Sequence, residues 1–205
     1  MKKEIIEYFN KAVQEGNLDL LKDLFSKEGC IGDNCTFDIA AQSGCINVMK
    51  WLREIGCPWD EVTFWRAAQQ GNLENMKWLK ENGCPWKTST FWYAAEKGDL
   101  ETMIWLKSQN CPLSETTFER AAENGNLNNM IWLKENGCPW NADTFAAAAK
   151  NGILDNMKWL KDNGCPWNAD TFAAAAENGT RDNIIWLKES GCPWNAEICT
   201  STANK

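Results

Sequence analysis

The ten cysteines are the residues of this 205-residue chain whose types and spacing first suggest chemistry, because thiols bind metals, form disulfides and act as nucleophiles. The chain has no histidine and no Cys-x-x-Cys pair, so the close-set ligands of a zinc site are missing. Seven cysteines instead recur every 27 residues, at Cys30, Cys57, Cys84, Cys111, Cys138, Cys165 and Cys192. This regular spacing predicts a buried structural role.

Disulfides between neighbouring members of this series are not expected. Stacked helices lie roughly 8–10 Å apart, whereas a disulfide requires Cα atoms within about 7 Å of each other. Free thiols imply a reducing compartment. Cys30 and Cys35 are the closest pair in the sequence, with Cys45 and Cys57 as candidate neighbours, so a thiol-based metal-binding or redox function stays open as an alternative.

Other catalytic signals are absent from the sequence. There is no glycine-rich phosphate loop, and the carboxylates alternate with lysines as they do on solvated helix faces. We therefore predict that the protein is not an enzyme and holds no cofactor or metal. The net charge of -7 argues against nucleic-acid binding, and no apolar run approaches bilayer length, so we predict a cytoplasmic protein that does not bind membranes.

Two further residue series repeat in register with the cysteines, and both recur every 27 residues. One series consists of tryptophans, at Trp51, Trp78, Trp105, Trp132, Trp159 and Trp186. The other consists of glycines, at Gly44, Gly71, Gly98, Gly125, Gly152 and Gly179. Three series in one register indicate a protein built from internal repeats.

Each repeat is predicted to be a helix, a turn, a second helix and a loop. In the repeat that starts at Asp60, this residue can cap a helix whose apolar stripe includes Phe64, and Gly71 stops the helix. Asn72 can cap the second helix, which Gly83 ends. Cap residues recur at Ser114, Asn141, Asn168 and Asn195, whereas Lys87 breaks this pattern and is expected to pass the cap to Thr88.

Such short helix pairs cannot bury their apolar stripes alone, so we predict an all-α solenoid in which about seven pairs stack on one another. The predicted domain is a single one, residues 1–205. Residues 1–30 form an N-terminal capping repeat, 31–194 the internal 27-residue repeats, and 195–205 a partial repeat or C-terminal cap.

The segment Asp143–Cys165 resembles the ankyrin repeat, and the resemblance extends from about Glu4 to Trp194. The positions that carry it are Ala148, Ala149, Gly152, Leu154 and Gly164, with Asn168 where the family has its loop asparagine. The period of 27 is shorter than the family's usual value of about 33. The resemblance therefore implies that the β-hairpin fingers are absent or vestigial. Short Trp-rich arrays of this kind are similar to those of giant DNA viruses of amoebae, which would imply a location in the host cytoplasm.

The tryptophans have two predicted roles. Those of the Trp51 to Trp186 series are expected to pack between repeats. A second set follows proline in the loops, and its members act either as lids over the helix ends or as contacts for a partner. These loop tryptophans are Trp59, Trp86, Trp140, Trp167 and Trp194. A polar column on the second helices is expected to hydrogen-bond to backbone of the adjacent repeat. Its members are Asn75, Asn129, Asn156 and Asn183, and Thr102 and Val48 occupy the same column in other repeats.

Positions that differ between repeats are free to bind a partner. The repeats that start at Asn141 and Asn168 have identical first helices and look generic, whereas earlier repeats diverge after the phenylalanine. The resemblance implies that the first helices line a concave face, and Trp, Tyr and Arg are enriched in binding hot spots. The candidate groove consists of Trp65, Arg66, Gln69, Trp92, Tyr93, Glu96, Glu119, Arg120 and Glu123.

The function predicted from these features is a non-catalytic scaffold that binds a protein partner on this face, as a monomer. One alternative is a structural or assembly component, for example of a virion, that packs against copies of itself. For the groove, the competing interpretation is that Trp65 and Trp92 stack on each other and only fill volume that alanine leaves open in other repeats.

Overall fold

The computed structural model describes residues 2–178 and 180–194. These residues form fourteen helices in seven pairs and no strand, which confirms the predicted all-α fold. The helices are α1 (Lys2–Gln14), α2 (Leu18–Glu28), α3 (Asn34–Ser43), α4 (Ile46–Glu54), α5 (Glu61–Gln70), α6 (Leu73–Glu81), α7 (Thr88–Lys97), α8 (Leu100–Ser108), α9 (Glu115–Asn124), α10 (Leu127–Glu135), α11 (Ala142–Asn151), α12 (Leu154–Asp162), α13 (Ala169–Asn178) and α14 (Arg181–Glu189). No helix in the described part of the chain is long and apolar enough to cross a membrane.

The predicted caps set the helix ends. The Asp60 side chain accepts a hydrogen bond from the Val62 N–H at the start of α5, and Gly71 ends that helix in the left-handed conformation. At α11 the cap is reciprocal, because Asn141 accepts from the Thr144 N–H and the Thr144 hydroxyl accepts from the Asn141 N–H. Local sequence therefore specifies each pair independently of the others.

The predicted cap at the start of α7 was wrong. The Thr90 N–H donates to the Lys87 carbonyl at 3.0 Å, just as the Thr117 N–H donates to the Ser114 carbonyl at the start of α9. Helix α7 begins at Thr88. Lys87 therefore keeps the cap position, and the cap does not pass to Thr88.

The core repeats with the same period as the sequence. Each first helix buries one phenylalanine with alanines beside it, and each second helix buries one leucine with a methionine in most repeats. The fully buried phenylalanines are Phe9, Phe37, Phe64, Phe91, Phe118 and Phe145. These buried side chains supply the apolar surface that a single pair cannot cover by itself.

The chain divides into two compact units, the first comprising residues 1–94 and 101–111, the second residues 95–100 and 112–205. In the first unit, α3 packs against both α1 and α5; in the second unit, α11 packs against both α9 and α13. Within a pair, the second helix packs against the first, as α6 does against α5. Each unit is thus a stack of helix pairs, and the division into 1–30, 31–194 and 195–205 stays a prediction, with 195–205 outside the described residues.

Loop tryptophans pack over the helix ends. Trp86 packs against Phe64 of its own pair at a ring-centroid distance of 5.2 Å and edge-on against Trp105 of the next pair at 6.1 Å. The Lys80 ammonium lies 3.6 Å from the Trp86 ring centroid. Trp140 has the same arrangement, with Phe118 at 5.2 Å and Trp159 at 6.0 Å. These contacts favour the lid role for Trp86 and Trp140 and place the helix tryptophans between repeats, whereas Trp194 is 47% exposed.

The polar column on the second helices behaves as predicted in two repeats. The Asn156 amide donates to the Gly125 carbonyl at 2.8 Å, and the Asn183 amide donates to the Gly152 carbonyl at 2.6 Å. In each case the bond joins one pair to the previous pair. Asn129 is fully buried, yet neither its Nδ2 nor its Oδ1 atom has a hydrogen-bond partner in the described structure.

Candidate functional site

Six of the seven thiols that recur every 27 residues are buried, as predicted, and the seventh, Cys30, is half-buried. Cys84 Sγ lies 3.4 Å from the Asp60 carbonyl oxygen, and Cys138 Sγ lies 3.3 Å from the Ser114 carbonyl oxygen. In both cases the thiol donates to the residue that caps the first helix of its own pair, which ties the end of the pair to its beginning. The same contact recurs for Cys57, Cys111, Cys165 and Cys192.

Burial makes these thiols poor nucleophiles and poor metal ligands. It raises the pKa of Cys57, Cys84 and Cys165 to about 12, and the pKa of Cys111 and Cys192 to about 11. A raised pKa lowers the fraction of thiolate, which is the form that attacks and ligates. The described residues contain no group of three or more Cys, Asp or Glu side chains that could hold a metal ion.

The candidate groove residues lie on the first helices, at fixed distances from the buried phenylalanine. We call the two positions that follow the phenylalanine F+1 and F+2. F+1 is occupied by Asp38, Trp65, Trp92, Glu119, Ala146 and Ala173, and F+2 by Ile39, Arg66, Tyr93, Arg120, Ala147 and Ala174. These positions change between aromatic, charged and small residues, whereas the buried phenylalanine before them does not change.

In the first unit, F+1 of one helix meets F+2 of the next. The rings of Trp65 and Tyr93 stack with centroids 4.3 Å apart and an interplanar angle of 18°. The Arg66 guanidinium lies 4.2 Å from the Trp65 centroid and donates to the Gln69 side chain at 3.4 Å. Four predicted site residues are thereby brought together, and Trp92 lies half-buried beside Tyr93 in the chain.

One buried hydroxyl next to the buried phenylalanine of α7 has no partner, whereas the equivalent Thr117 hydroxyl contacts its cap residue Ser114. In the preceding pair the Thr63 hydroxyl donates to the Asp38 carboxylate, an F+1 side chain, at 2.7 Å. The equivalent hydroxyl one repeat later is that of Thr90, and the F+1 residue it would use is Trp65, whose side chain has no acceptor. Thr90 Oγ1 is buried and has no hydrogen-bond partner in the described structure.

In the second unit, F+1 and F+2 residues border a cavity. A cavity of about 270 Å³ is lined by three predicted site residues together with alanines and charged residues of the next two first helices. The lining consists of Glu119, Arg120, Glu123, Asp143, Ala146, Ala147, Lys150 and Ala174. Sequence reasoning missed the last five because it treated the alanine-rich helices as generic. The signal that could have found them is the change from large to small residues at F+2.

The charges around this cavity are unequally paired. Glu123 accepts a hydrogen bond from the Arg120 guanidinium at 3.0 Å, and the Lys150 ammonium lies 3.7 Å from the other oxygen of the same carboxylate. The pKa of Glu119 is raised, first by burial and then by the negative charge of Asp143. Arg120 and Lys150 therefore both contact the carboxylate of Glu123, and the carboxylates of Glu119 and Asp143 lie close together.

Glu96 is a predicted site residue of the second unit, and its contact with Asn124 is made by its backbone carbonyl. Its carbonyl accepts a hydrogen bond from the Asn124 side chain at 3.0 Å, and its own side chain is exposed. The Glu123 carbonyl accepts from Asn151 in the same way, at 2.9 Å. These bonds join the ends of successive first helices and hold the exposed side chains in register.

A second open space, about 500 Å³, lies on the first helices of the first unit and is lined by Gln14, Ile39, Gln42 and Ser43. None of these residues was predicted. Gln42 occupies the position equivalent to Gln69 and Glu123, so repeat alignment could have included it.

Comparison with known proteins identifies the fold. No protein-family model matches the sequence, and no curated protein sequence matches it. The crystal structure of the human ASB11 ankyrin repeat domain superposes with a TM-score of 0.62, with 19% sequence identity over 77% of this chain and 84% of that chain. The chain therefore has an ankyrin-like repeat fold, as the Ala-Ala and Gly spacing predicted.

Proposed function

We propose that this ankyrin-like chain is a non-catalytic scaffold that binds a protein partner on its first-helix face, defined here as the F+1 and F+2 positions with their neighbours Gln69, Glu96 and Glu123. The observation that carries the proposal is the contrast between the first-helix positions of the two units. In the first unit these positions hold stacked aromatic residues, and in the second they line a cavity together with alanines and charged residues. Variation of this kind, on a scaffold whose buried positions repeat without change, is typical of a recognition surface.

Several finer features belong to the same proposal. We infer that the chain is a short-period, finger-less variant of the ankyrin repeat, similar to those of giant DNA viruses of amoebae. Its buried, unpaired thiols suit a reducing cytoplasm. The partner is a protein and neither a nucleic acid nor a membrane, because the chain has a net charge of -7. It acts as a monomer.

Lysine-directed crosslinking tests the binding face. A binder is selected with the immobilised chain from a display library of natural protein fragments, and the complex is then crosslinked and analysed by mass spectrometry. We expect crosslinks at Lys97 and Lys150, which are exposed on first helices. Lys50, Lys77 and Lys158 are exposed on second helices and provide the internal control. Crosslinks concentrated on these three lysines, or no selectable binder, would refute the proposal.

Light scattering tests the monomeric state and the alternative of an assembly component. A scaffold that binds a different protein should scatter as one chain at every concentration measured. A mass that rises with concentration would favour self-packing instead.

A further inference from the structure

The cavity in the second unit occurs where the chain omits a side chain that it supplies elsewhere. In the first unit the F+1 residue Trp65 is covered by Tyr93, the F+2 residue of the next first helix. The corresponding F+2 residue for Glu119 is Ala147, whose side chain ends at Cβ. The space above Glu119 therefore stays open, and it forms part of the 270 Å³ cavity.

The first unit contains the repeat equivalent of this carboxylate. Asp38 is the F+1 acid of α3, and Arg66 is the F+2 residue of the next first helix, α5. Burial raises the pKa of Asp38, and the hydrogen bond from Thr63 acts in the opposite direction. Glu119 is the repeat equivalent of Asp38, and Ala147 is the repeat equivalent of Arg66. The F+2 position that follows an F+1 acid thus carries a cation in one unit and a side chain that ends at Cβ in the other.

The size of the cavity suits a single side chain. Sites for drug-sized ligands and cofactors have volumes of about 300–1,000 Å³, whereas this cavity measures about 270 Å³. Its floor consists of Ala146, Ala147 and Ala174, so an aliphatic stem can lie against apolar surface while a polar head reaches the charged rim. Long side chains with a polar end suit this shape.

The charge of the rim decides which polar end fits. Glu119, Glu123 and Asp143 contribute three negative charges, against two positive charges from Arg120 and Lys150. Both cations contact Glu123. Among the described residues neither Glu119 nor Asp143 forms a salt bridge, so these two carboxylates are the groups available to an incoming ligand.

We propose that this cavity binds an arginine or lysine side chain of the protein partner, with Glu119 and Asp143 as the carboxylates that receive it. The proposal rests on the proposed function and specifies the chemistry of its partner. The guanidinium or ammonium group supplies the cation that Ala147 lacks at the F+2 position, and the stem packs on the alanines. The net charge of -7 also attracts a basic partner.

The test uses small probes and NMR of the full chain. N-acetyl-arginine amide and N-acetyl-lysine amide are titrated into labelled protein, and amide shifts are followed at Ala146, Ala147 and Ala174. N-acetyl-citrulline amide is the control, because it matches arginine in shape but has no charge. We expect saturable shifts at these alanines with both cationic probes and at least roughly tenfold weaker binding of the citrulline probe, because charge-assisted hydrogen bonds are lost.

Variants assign the binding to the proposed groups. Glu119→Gln combined with Asp143→Asn should weaken the arginine probe by at least roughly tenfold. Ala147→Arg should abolish its binding by placing a guanidinium where Arg66 lies in the first unit. Glu74→Gln, at an exposed acid of α6, should leave the affinity unchanged. The NMR spectrum of each variant without probe shows whether that variant folds. Ala147→Arg is expected to fold because it adds a side chain to open space rather than to the core.

Three outcomes would overturn the proposal: equal binding of the citrulline probe, shifts located away from the three alanines, or binding that survives Ala147→Arg. Stronger shifts with inorganic phosphate would also overturn it, because they would assign the cavity to an anion held by Arg120 and Lys150. Failure here is separable from failure of the proposed function. If a crosslinked partner still binds the Ala147→Arg variant, the proposed scaffold function stands. Only the proposed binding of a cationic side chain is then refuted.

Discussion

At the scale of single residues, the buried asparagine of the second helices is hydrogen-bonded in some repeats and unpaired in another. Asn156 is paired with the carbonyl of Gly125 in the previous pair, and it is only 2% exposed. Asn129 is the same residue type in the same column and is 0% exposed, but both of its amide atoms lack partners in the described structure. A buried amide stabilises a fold only when its hydrogen bonds are made, so the two should respond to mutation in opposite directions.

Replacing each asparagine by valine tests this difference, because the chain already has valine in this column at Val48. Asn129→Val removes two unpaired polar atoms and should raise the free energy of unfolding by about 1 kcal/mol. Asn156→Val leaves the Gly125 carbonyl unpaired and should lower it by about 1–3 kcal/mol. Urea denaturation measures both changes, and effects of the same sign would contradict the structural difference.

At the scale of the structural element, the loop that ends each pair requires a left-handed residue. Gly83 has φ of +80°, and a Cβ built there would meet nothing within 4 Å, so only backbone strain opposes a larger residue. Asn110 fills the equivalent position in the next loop with φ of +59°, as the one non-glycine residue of positive φ in the described chain. Asparagine tolerates this region better than most residues but less well than glycine.

Exchanging the two residue types should therefore have opposite effects on stability. Asn110→Gly should raise the free energy of unfolding by about 1 kcal/mol, and Gly83→Asn should lower it by a similar amount. Urea denaturation at constant pH provides the measurement. No loss of stability in Gly83→Asn would show that these loops relax without strain.

At the scale of the whole molecule, the buried thiols make stability depend on alkaline pH. Five of them have a pKa raised by burial, to about 11 for Cys111 and Cys192 and to about 12 for Cys57, Cys84 and Cys165. An unfolded thiol has a pKa of about 8.5. Above that pH the unfolded chain binds fewer protons than the folded chain, so the free energy of unfolding falls as pH rises.

We expect this loss to begin near pH 8.5 and to continue until the pH passes the folded pKa values of about 11 to 12. Cys84→Ser removes one such thiol and should reduce the slope of stability against pH in this window by one proton. Cys35→Ser, at an exposed cysteine, is the control. Chemical denaturation across the alkaline range measures the slopes. Identical slopes in the two variants would disprove that the buried Cys84 thiol contributes to the loss of stability.

The sequence by itself determined the helix pairs, most of their caps, the buried rows and the burial of the cysteines that follow the second helices from Cys57 to Cys192. All of these depend on contacts within one repeat or on a period that repeats without interruption. Only the tertiary structure decided which F+1 side chain meets which F+2 side chain, because the partners lie on different helices, as Trp65 and Tyr93 do. It also decided that alanine helices line a charged cavity. A small residue in a sequence indicates close packing and open space equally well, and the neighbouring helix determines which of the two occurs.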